Sequence, residues 1–201
     1  MDTRPKLLLA TNNKGKVREY KSLLQGIPYE IVTPAEVGIT TDVEETGTSF
    51  EENARLKAVT MAGQSGLPAL ADDSGLEVDA LGGGPGVHSH RFAGEGASDA
   101  DRVDLLLSKL KGMPEKECTA QFRCAIAVAK PDGTAEIFTG ICRGVIINEP
   151  RGNNGFGYDP VFLVPEFGKT MAELTLEEKN RISHRARAAA KAKAYLIKKP
   201  V

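Results

Sequence analysis

Two hundred and one residues, 41% hydrophobic and 26% charged, carry the apolar content of one ordinary globular domain and exclude a disordered chain. A formal net charge of -1 excludes the bulk polycation expected of a non-specific nucleic-acid coat, so no nucleic-acid partner is expected. The longest apolar runs, residues 7–10 and 124–129, fall far short of the ~20 residues of a spanning helix, so no membrane partner is expected either. The opening residues have no signal-peptide-like apolar centre. The three cysteines (Cys118, Cys124, Cys142) are odd in number, lack a CxxC spacing and read as buried reduced thiols. We expect a soluble cytoplasmic protein of one domain, residues 1–201.

In chain order, residues 6–11 read as a short buried strand. Val17, Tyr20, Leu23 and Leu24 then fall at helical spacing, and Gly26 and Pro28 stop that helix. Tyr29 to Val32 reads as a second strand. The stretch 42–52 is acidic and turn-prone, with two overlapping capping signals, Thr48-x-x-Glu51 and Ser49-x-x-Glu52. Phe50, Ala54, Ala58 and Met61 line the helix that follows. Pro68 opens a strand that runs into Asp72-Asp73-Ser74-Gly75, and residues 76–81 predict a further strand before a glycine-rich stretch. Ser98 starts a helix through Leu110. Cys118, Ala120, Phe122, Cys124, Ile126 and Val128 alternate with Thr119, Gln121 and Arg123, the period of a half-buried strand. With the Pro131-Asp132-Gly133 turn, residues 118–147 form a long antiparallel hairpin. A glycine-rich loop, 152–157, leads to a strand at 161–164, and a closing helix sets Ile182, Ala186, Ala190, Ala194 and Ile197 on one face. The class is α/β with a mixed sheet.

Four features carry chemistry. The strand–loop–helix junction Thr11-Asn12-Asn13-Lys14-Gly15-Lys16 offers backbone N–H groups and two lysines to a phosphate. It departs from a Walker A loop, because Ala10 replaces the first glycine and Val17 the magnesium-binding hydroxyl. An ordinary surface loop with solvated lysines is the other reading. The carboxylates Glu44, Glu45, Asp72 and Asp73 suit Mg2+, which takes one or two carboxylates together with phosphate oxygens. Consecutive strand residues face opposite ways, so one of Asp72 and Asp73 is enough. Against that stand placement of the glutamates at a helix N-terminus and an Asx turn at Asp72-Asp73.

From Lys179 to Lys199 there are eight Lys/Arg residues and no acid. A solvated face, a nucleic-acid-binding module and an anionic small molecule all fit such a run. A triphosphate bound with Mg2+ satisfies the acidic and basic stretches together. Finally, Gly155-Phe156-Gly157-Tyr158-Asp159 lets a ring and a backbone approach a flat ligand, or else forms a tight turn with Phe156 in the core.

The succession ATNNKGKVRE (10–19), EETGTSFEENARLKA (44–58), ALADDSGLEVDALGG (69–83), PGVHSHRFAG (85–94), GNNGFGYDPVF (152–162) and EEKNRISHRARA (177–188) resembles the inosine triphosphate pyrophosphatase (RdgB) family over nearly the whole chain. The resemblance implies an elongated mixed sheet flanked by helical lobes with a central nucleotide cleft, and a homodimer. It implies cleavage of ITP, dITP or XTP between the α and β phosphates, with Mg2+, to the monophosphate and pyrophosphate. Thr11, Asn12, Asn13, Lys14, Gly15 and Lys16 match the family's phosphate loop. Glu45 and Asp73 match its metal ligands, and Asp73 its water-activating base. Ser74, Lys179, His184 and Arg185 match substrate contacts, and Phe156, Gly157, Tyr158 and Asp159 the base-binding loop. Lys57 resembles a further phosphate neighbour.

Base choice is expected to rest on the 6-keto oxygen, which Arg185 or backbone N–H groups can serve. Where relatives often read PGxYSARYAG, this chain has His88, His90 and Phe92, a departure that bears on local packing or a dimer contact. A pyrophosphatase for other modified triphosphates, pyrimidines included, is the competing enzymatic reading. The whole expectation requires Glu45, Asp73, Lys16 and Arg185 to converge.

Overall fold

In the computed structural model, which describes residues 4–199, the first strands are buried on both faces. β1 (Lys6–Leu9) buries Leu7, Leu8 and Leu9 alike, as a parallel strand covered from both sides must. β2 (Glu30–Val32) and β3 (Ala69–Val78) flank β1, each parallel to it. Helices α1 (Lys14–Leu23) and α2 (Phe50–Ser65) lie in the connections. α1 starts on Asn13, whose side chain accepts the Lys16 backbone N–H at 3.0 Å; α2 starts on Ser49 and stops at Gly66, which is left-handed. Of the two overlapping capping signals Ser49 is thus the cap, while the Glu52 carboxylate reaches one residue further back, to the Thr48 N–H at 2.7 Å.

β4 (Thr119–Ala129) and β5 (Ala135–Ile146) form the expected hairpin, closed by Lys130 N–H donating to Thr134 C=O at 2.9 Å. β6 (Phe162–Val164) and β7 (Lys169–Thr170) add antiparallel strands, giving one mixed seven-stranded sheet of order β2-β1-β3-β4-β5-β6-β7. Among the described residues no helix is long and apolar enough to cross a membrane.

The chain divides into two compact units. The first holds the chain up to Asp73, Cys124–Gly140, and everything from Arg185 on. Its core packs Leu7, Leu9, Leu70, Ile126 and Val128 against Tyr20 of α1 and Leu24 just after it. The same core takes in Ala188, Ala189, Ala192 and Leu196 of α5 (His184–Lys198). The second unit holds Ser74–Arg123 and Ile141–His184. There Leu76, Phe122 and Phe162 pack against Val103, Leu106 and Leu110 of α3 (Asp99–Leu110). Ser98 with Asp101, and Thr175 with Glu178 of α4 (Leu176–Ile182), form complete capping boxes.

Four expectations are corrected. The stretch 69–78 is one continuous strand through Asp72-Asp73-Ser74-Gly75, followed by a 3-10 turn at Asp79–Leu81. That removes both the separate strand at 76–81 and the Asx turn. Second, β4 alternates in burial only up to Arg123; from Cys124 to Ala129 every residue is buried, because there both faces are covered. Third, the closing helix is two helices, broken at Ser183, whose backbone is extended. The restart changes the phase, so α5 buries Arg185, Ala188, Ala189, Ala192 and Leu196, while Ala190, Ala194 and Ile197 face out. An alanine-rich helix carries too little contrast to announce its inner face. Fourth, the first turn of α2 carries Glu51 and Glu52 rather than Glu44, which lies outside the helix and is exposed.

Candidate active site

In the first unit, the end of β3 places two consecutive carboxylates on opposite faces of the sheet, as strand alternation dictates. Asp72, on the same side as Leu70, meets Lys16 Nζ at 3.0 Å and Arg185 Nε at 3.5 Å. Arg185 in turn donates from Nη1 to Glu19 Oε2 at 2.7 Å, and both side chains are 2% exposed. Burial alone pushes the Asp72 carboxyl up, but Lys16 and then Arg185 outweigh it and hold the group well below the usual carboxylate range. Asp72 is therefore an anion at every pH near neutrality, locked between α1 and α5. Cys124, 3.9 Å from Asp72 Oδ2, has its thiol pushed up to about 12 by burial and by that charge.

Asp73 points the other way, toward α2. Its Oδ2 accepts from Asn53 Nδ2 at 3.0 Å, and its Oδ1 lies 3.9 Å from Lys57 Nζ. The same ammonium meets Glu45 Oε1 at 2.5 Å. Burial pushes the Asp73 carboxyl up; Lys57 opposes the rise and Glu45 adds to it. Lys57 itself is pulled down by burial but held above its ordinary value by Asp73 and Glu45. Two hard oxygen donors thus gather around one cationic point. Among the described residues no group of three or more His, Cys, Asp or Glu side chains is placed to hold a metal. The donor set fits an ion such as Mg2+ that draws its remaining ligands from phosphate and water.

The residues expected to form a phosphate loop lie at the start of α1, where Lys16 meets Asp72. The Asn13 N–H donates to Thr11 Oγ1 at 3.2 Å and the Asn13 side chain caps α1, so Gly15 and Lys16 occupy its first turn. Asn12 and Lys14 are exposed, while Thr11, Asn13, Gly15 and Lys16 are half-buried. Lys16 and Arg185 thus meet Asp72 on one face of β3, and Glu45 and Lys57 meet Asp73 on the other; the two sets are coupled by charge, since Lys57 also lowers the Asp72 carboxyl and Lys16 the Asp73 carboxyl.

The second unit carries the other predicted residues. Ser74 follows Asp73 on β3, half-buried. Asp159 is the anchor of the glycine-rich loop. Its Oδ2 accepts the Phe156 N–H at 3.0 Å and meets Lys179 Nζ at 2.6 Å, with both charged side chains 4% exposed. Gly155 has φ +77°, and a Cβ there would stand 2.0 Å from Asp159 Oδ2, so only glycine fits. Lys179 Nζ also lies 5.1 Å from the centre of the half-buried Phe156 ring.

Gly157 N–H donates to Asp99 Oδ2 at 2.7 Å, and the buried Tyr158 hydroxyl donates to Ser89 C=O at 2.9 Å. Ser89, inside the departing PGVHSHRFAG stretch, also accepts the Leu76 N–H at 2.9 Å. That stretch is thus a support for the loop, and His88 is engaged locally by Arg91 Nε. His184 is buried and stacked on Phe122, with centroids 4.8 Å apart.

The basic run divides between buried and solvated residues. Lys179 and Arg185 are buried ion-pair partners of acids far away in sequence, while Arg187, Lys191 and Lys198 are solvated. Sequence reasoning missed Asn53, Glu19 and Asp99. Asn53 had a readable signal: it is a polar residue three positions after Phe50, on the apolar face of α2.

A model of the Ham1 family matches residues 7–195. A protein of Geobacter sulfurreducens named dITP/XTP pyrophosphatase is 52% identical over 191 residues, covering 95% of this chain and 96% of its own. One of the same name from Bacillus subtilis is 50% identical over 179 residues, covering 89% and 90%. Among solved structures, a HAM1 protein from Coxiella burnetii superposes with a TM-score of 0.88 at 42% identity, over 96% of this chain and 99% of that one. A nucleoside-triphosphatase / dITP/XTP pyrophosphatase from Mycobacterium abscessus gives 0.73 at 42% identity, over 93% and 97%.

Proposed function

The chain belongs to the Ham1 family, and from that premise we infer that it hydrolyses aberrant purine nucleoside triphosphates of the ITP, dITP and XTP class to the monophosphate and pyrophosphate. The observation that carries the chemistry is the pairing of Asp73 with Glu45 around a single cationic point at the end of β3.

We assign Asp73 as the base that orients and deprotonates the attacking water. A buried carboxylate whose basicity is raised by its surroundings suits that role. Glu45 and Asp73 are the residues that would hold Mg2+, which when bound neutralises charge building on the phosphate oxygens. Thr11, Asn12, Asn13, Lys14, Gly15 and Lys16 bind the phosphates, with Lys57 beside them, and Ser74 positions the substrate next to Asp73. Asp72 is kept out of the proton transfer by its own ion pairs and serves to fix Lys16 and Arg185.

Phe156 and the backbone of the 155–159 loop receive the base, supported by Asp159, Lys179, Tyr158 and His184. Stacking on an aromatic ring contributes roughly 1–3 kcal/mol per base. The 6-keto oxygen accepts hydrogen bonds where adenine's amino group cannot, and a mismatch that leaves buried donors unpaired discriminates by roughly 10⁴–10⁵ in favourable cases. The same reading makes the protein a homodimer of the cytoplasm. The three buried free cysteines support a reducing compartment, and light scattering on an eluting column peak decides the dimer.

The test of the activity is pyrophosphate release from dITP, ITP, XTP, ATP and modified pyrimidine triphosphates, with Mg2+ and with a chelator. The expected result is rapid, Mg2+-dependent pyrophosphate release from the first three. Equal turnover of ATP, or orthophosphate as first product, contradicts the proposal.

A further inference from the structure

We propose that Asn53 is a positioning residue for the reaction: through one carboxamide it ties the acidic loop to the end of β3 and sets the orientation of the Asp73 carboxylate. This rests on the reading of Asp73 as the water-activating base.

Asn53 is fully buried, at 0% exposure, in the first turn of α2 between the buried Phe50 and Ala54. A buried amide is tolerated when its polar atoms are paired, and here both ends are. Its Oδ1 accepts the Gly47 backbone N–H at 2.7 Å, and its Nδ2 donates to Asp73 Oδ2 at 3.0 Å. The chemistry admits only this orientation of the amide. Gly47 offers a donor and Asp73 an acceptor, so a flipped side chain would face like with like at both ends.

The contact at Gly47 leaves no room for a side chain. A Cβ there would sit 2.7 Å from Asn53 Oδ1 and 2.7 Å from Glu52 Cβ. The loop thus rests on α2 by its backbone, and Glu45, two residues earlier, reaches Lys57. Lys57 lies four residues after Asn53 and so on the same helix face. One face of α2 therefore addresses the two oxygens of Asp73 separately, Asn53 at Oδ2 and Lys57 at Oδ1.

The difference between the two partners matters. An amide orients a carboxylate through the direction of its hydrogen bond and carries no charge, whereas Lys57 acts on the same group through its charge.

The experiment compares the full-length parent with Asn53→Asp, Gly47→Ala and Asp73→Asn, each normalised to the folded fraction from its melting curve. Asn53→Asp keeps the acceptor for Gly47 but turns an acceptor toward Asp73. Gly47→Ala displaces Asn53 from the loop side without altering either side chain. The readouts are kcat and KM for dITP, together with binding of a dITP analogue whose α–β bridge cannot be hydrolysed.

Asn53→Asp is expected to lower kcat at least 30-fold and Gly47→Ala about 10-fold, with KM and analogue affinity within threefold of the parent. A kcat within threefold of the parent in both, or a loss confined to KM, overturns the proposal. Should Asn53→Asp not fold, Gly47→Ala decides by the same criteria. An Asp73→Asn variant with near-normal turnover removes the reading of Asp73 and this proposal with it. An inactive Asp73→Asn beside normal Asn53 and Gly47 variants removes only the role of Asn53.

Discussion

The two units use charge in opposite ways. In the first, buried charges form an extended network in which Asp72 is satisfied by Lys16 and Arg185, while Asp73, one residue on, meets Lys57 and Glu45. In the second, the buried pair Lys179–Asp159 shapes a loop, with Phe156 and Gly155 held against the Asp159 carboxylate. The contrast teaches that a buried ion pair can tune a reactive group or shape a backbone. Which of the two it does depends on whether a second, incompletely neutralised carboxylate lies next to it.

The comparison can be broken in several places. The largest effect is expected at Asp73→Asn, which removes the proton acceptor and spares the fold. General-base catalysis contributes about 10²–10⁴-fold, so kcat for dITP should fall by that range while the melting temperature stays near that of the parent.

Asp72→Ala should do the reverse of a clean catalytic lesion. It strips buried Arg185 and Lys16 of a partner, and breaking a buried pair costs about 3–5 kcal/mol. Urea denaturation followed by circular dichroism measures it, and a loss under 1 kcal/mol would show that the network is not structural.

In the second unit, Gly155→Ala forces a side chain into a left-handed backbone against Asp159. Strain of this kind costs about 1–3 kcal/mol. The variant should raise KM for dITP with kcat changed less, because the loop and not the Asp73 site is disturbed. Phe156→Ala sharpens the same point: losing a stacking surface of roughly 1–3 kcal/mol should weaken binding of dITP and of its monophosphate product alike, as read by calorimetry. The smallest effect is expected at Cys124. Buried, and with its thiol pushed up to about 12, it should resist iodoacetamide at pH 8 in the folded protein and react once urea unfolds it. Mass spectrometry of the labelled peptide distinguishes the two.

Much of the fold was legible before any coordinates. The β4–β5 hairpin and the Ser98 cap follow from patterns that act over a few residues. The site was legible as a set of residue types: carboxylates at 45 and 73, lysines at 14 and 16, a glycine–aromatic loop at 155–159.

Near neighbours alone settled the Ser98 cap, the turn of the β4–β5 hairpin and the alternation that sends Asp72 and Asp73 to opposite faces. Tertiary structure decided the partners. That Arg185 is buried against Glu19 and Asp72, that Lys179 belongs to Asp159, and that α5 turns Arg185, Ala192 and Leu196 inward cannot be read from spacing. The physical reason is that the worth of a charge depends on its burial and its counter-charge, and both are supplied by segments far away along the chain.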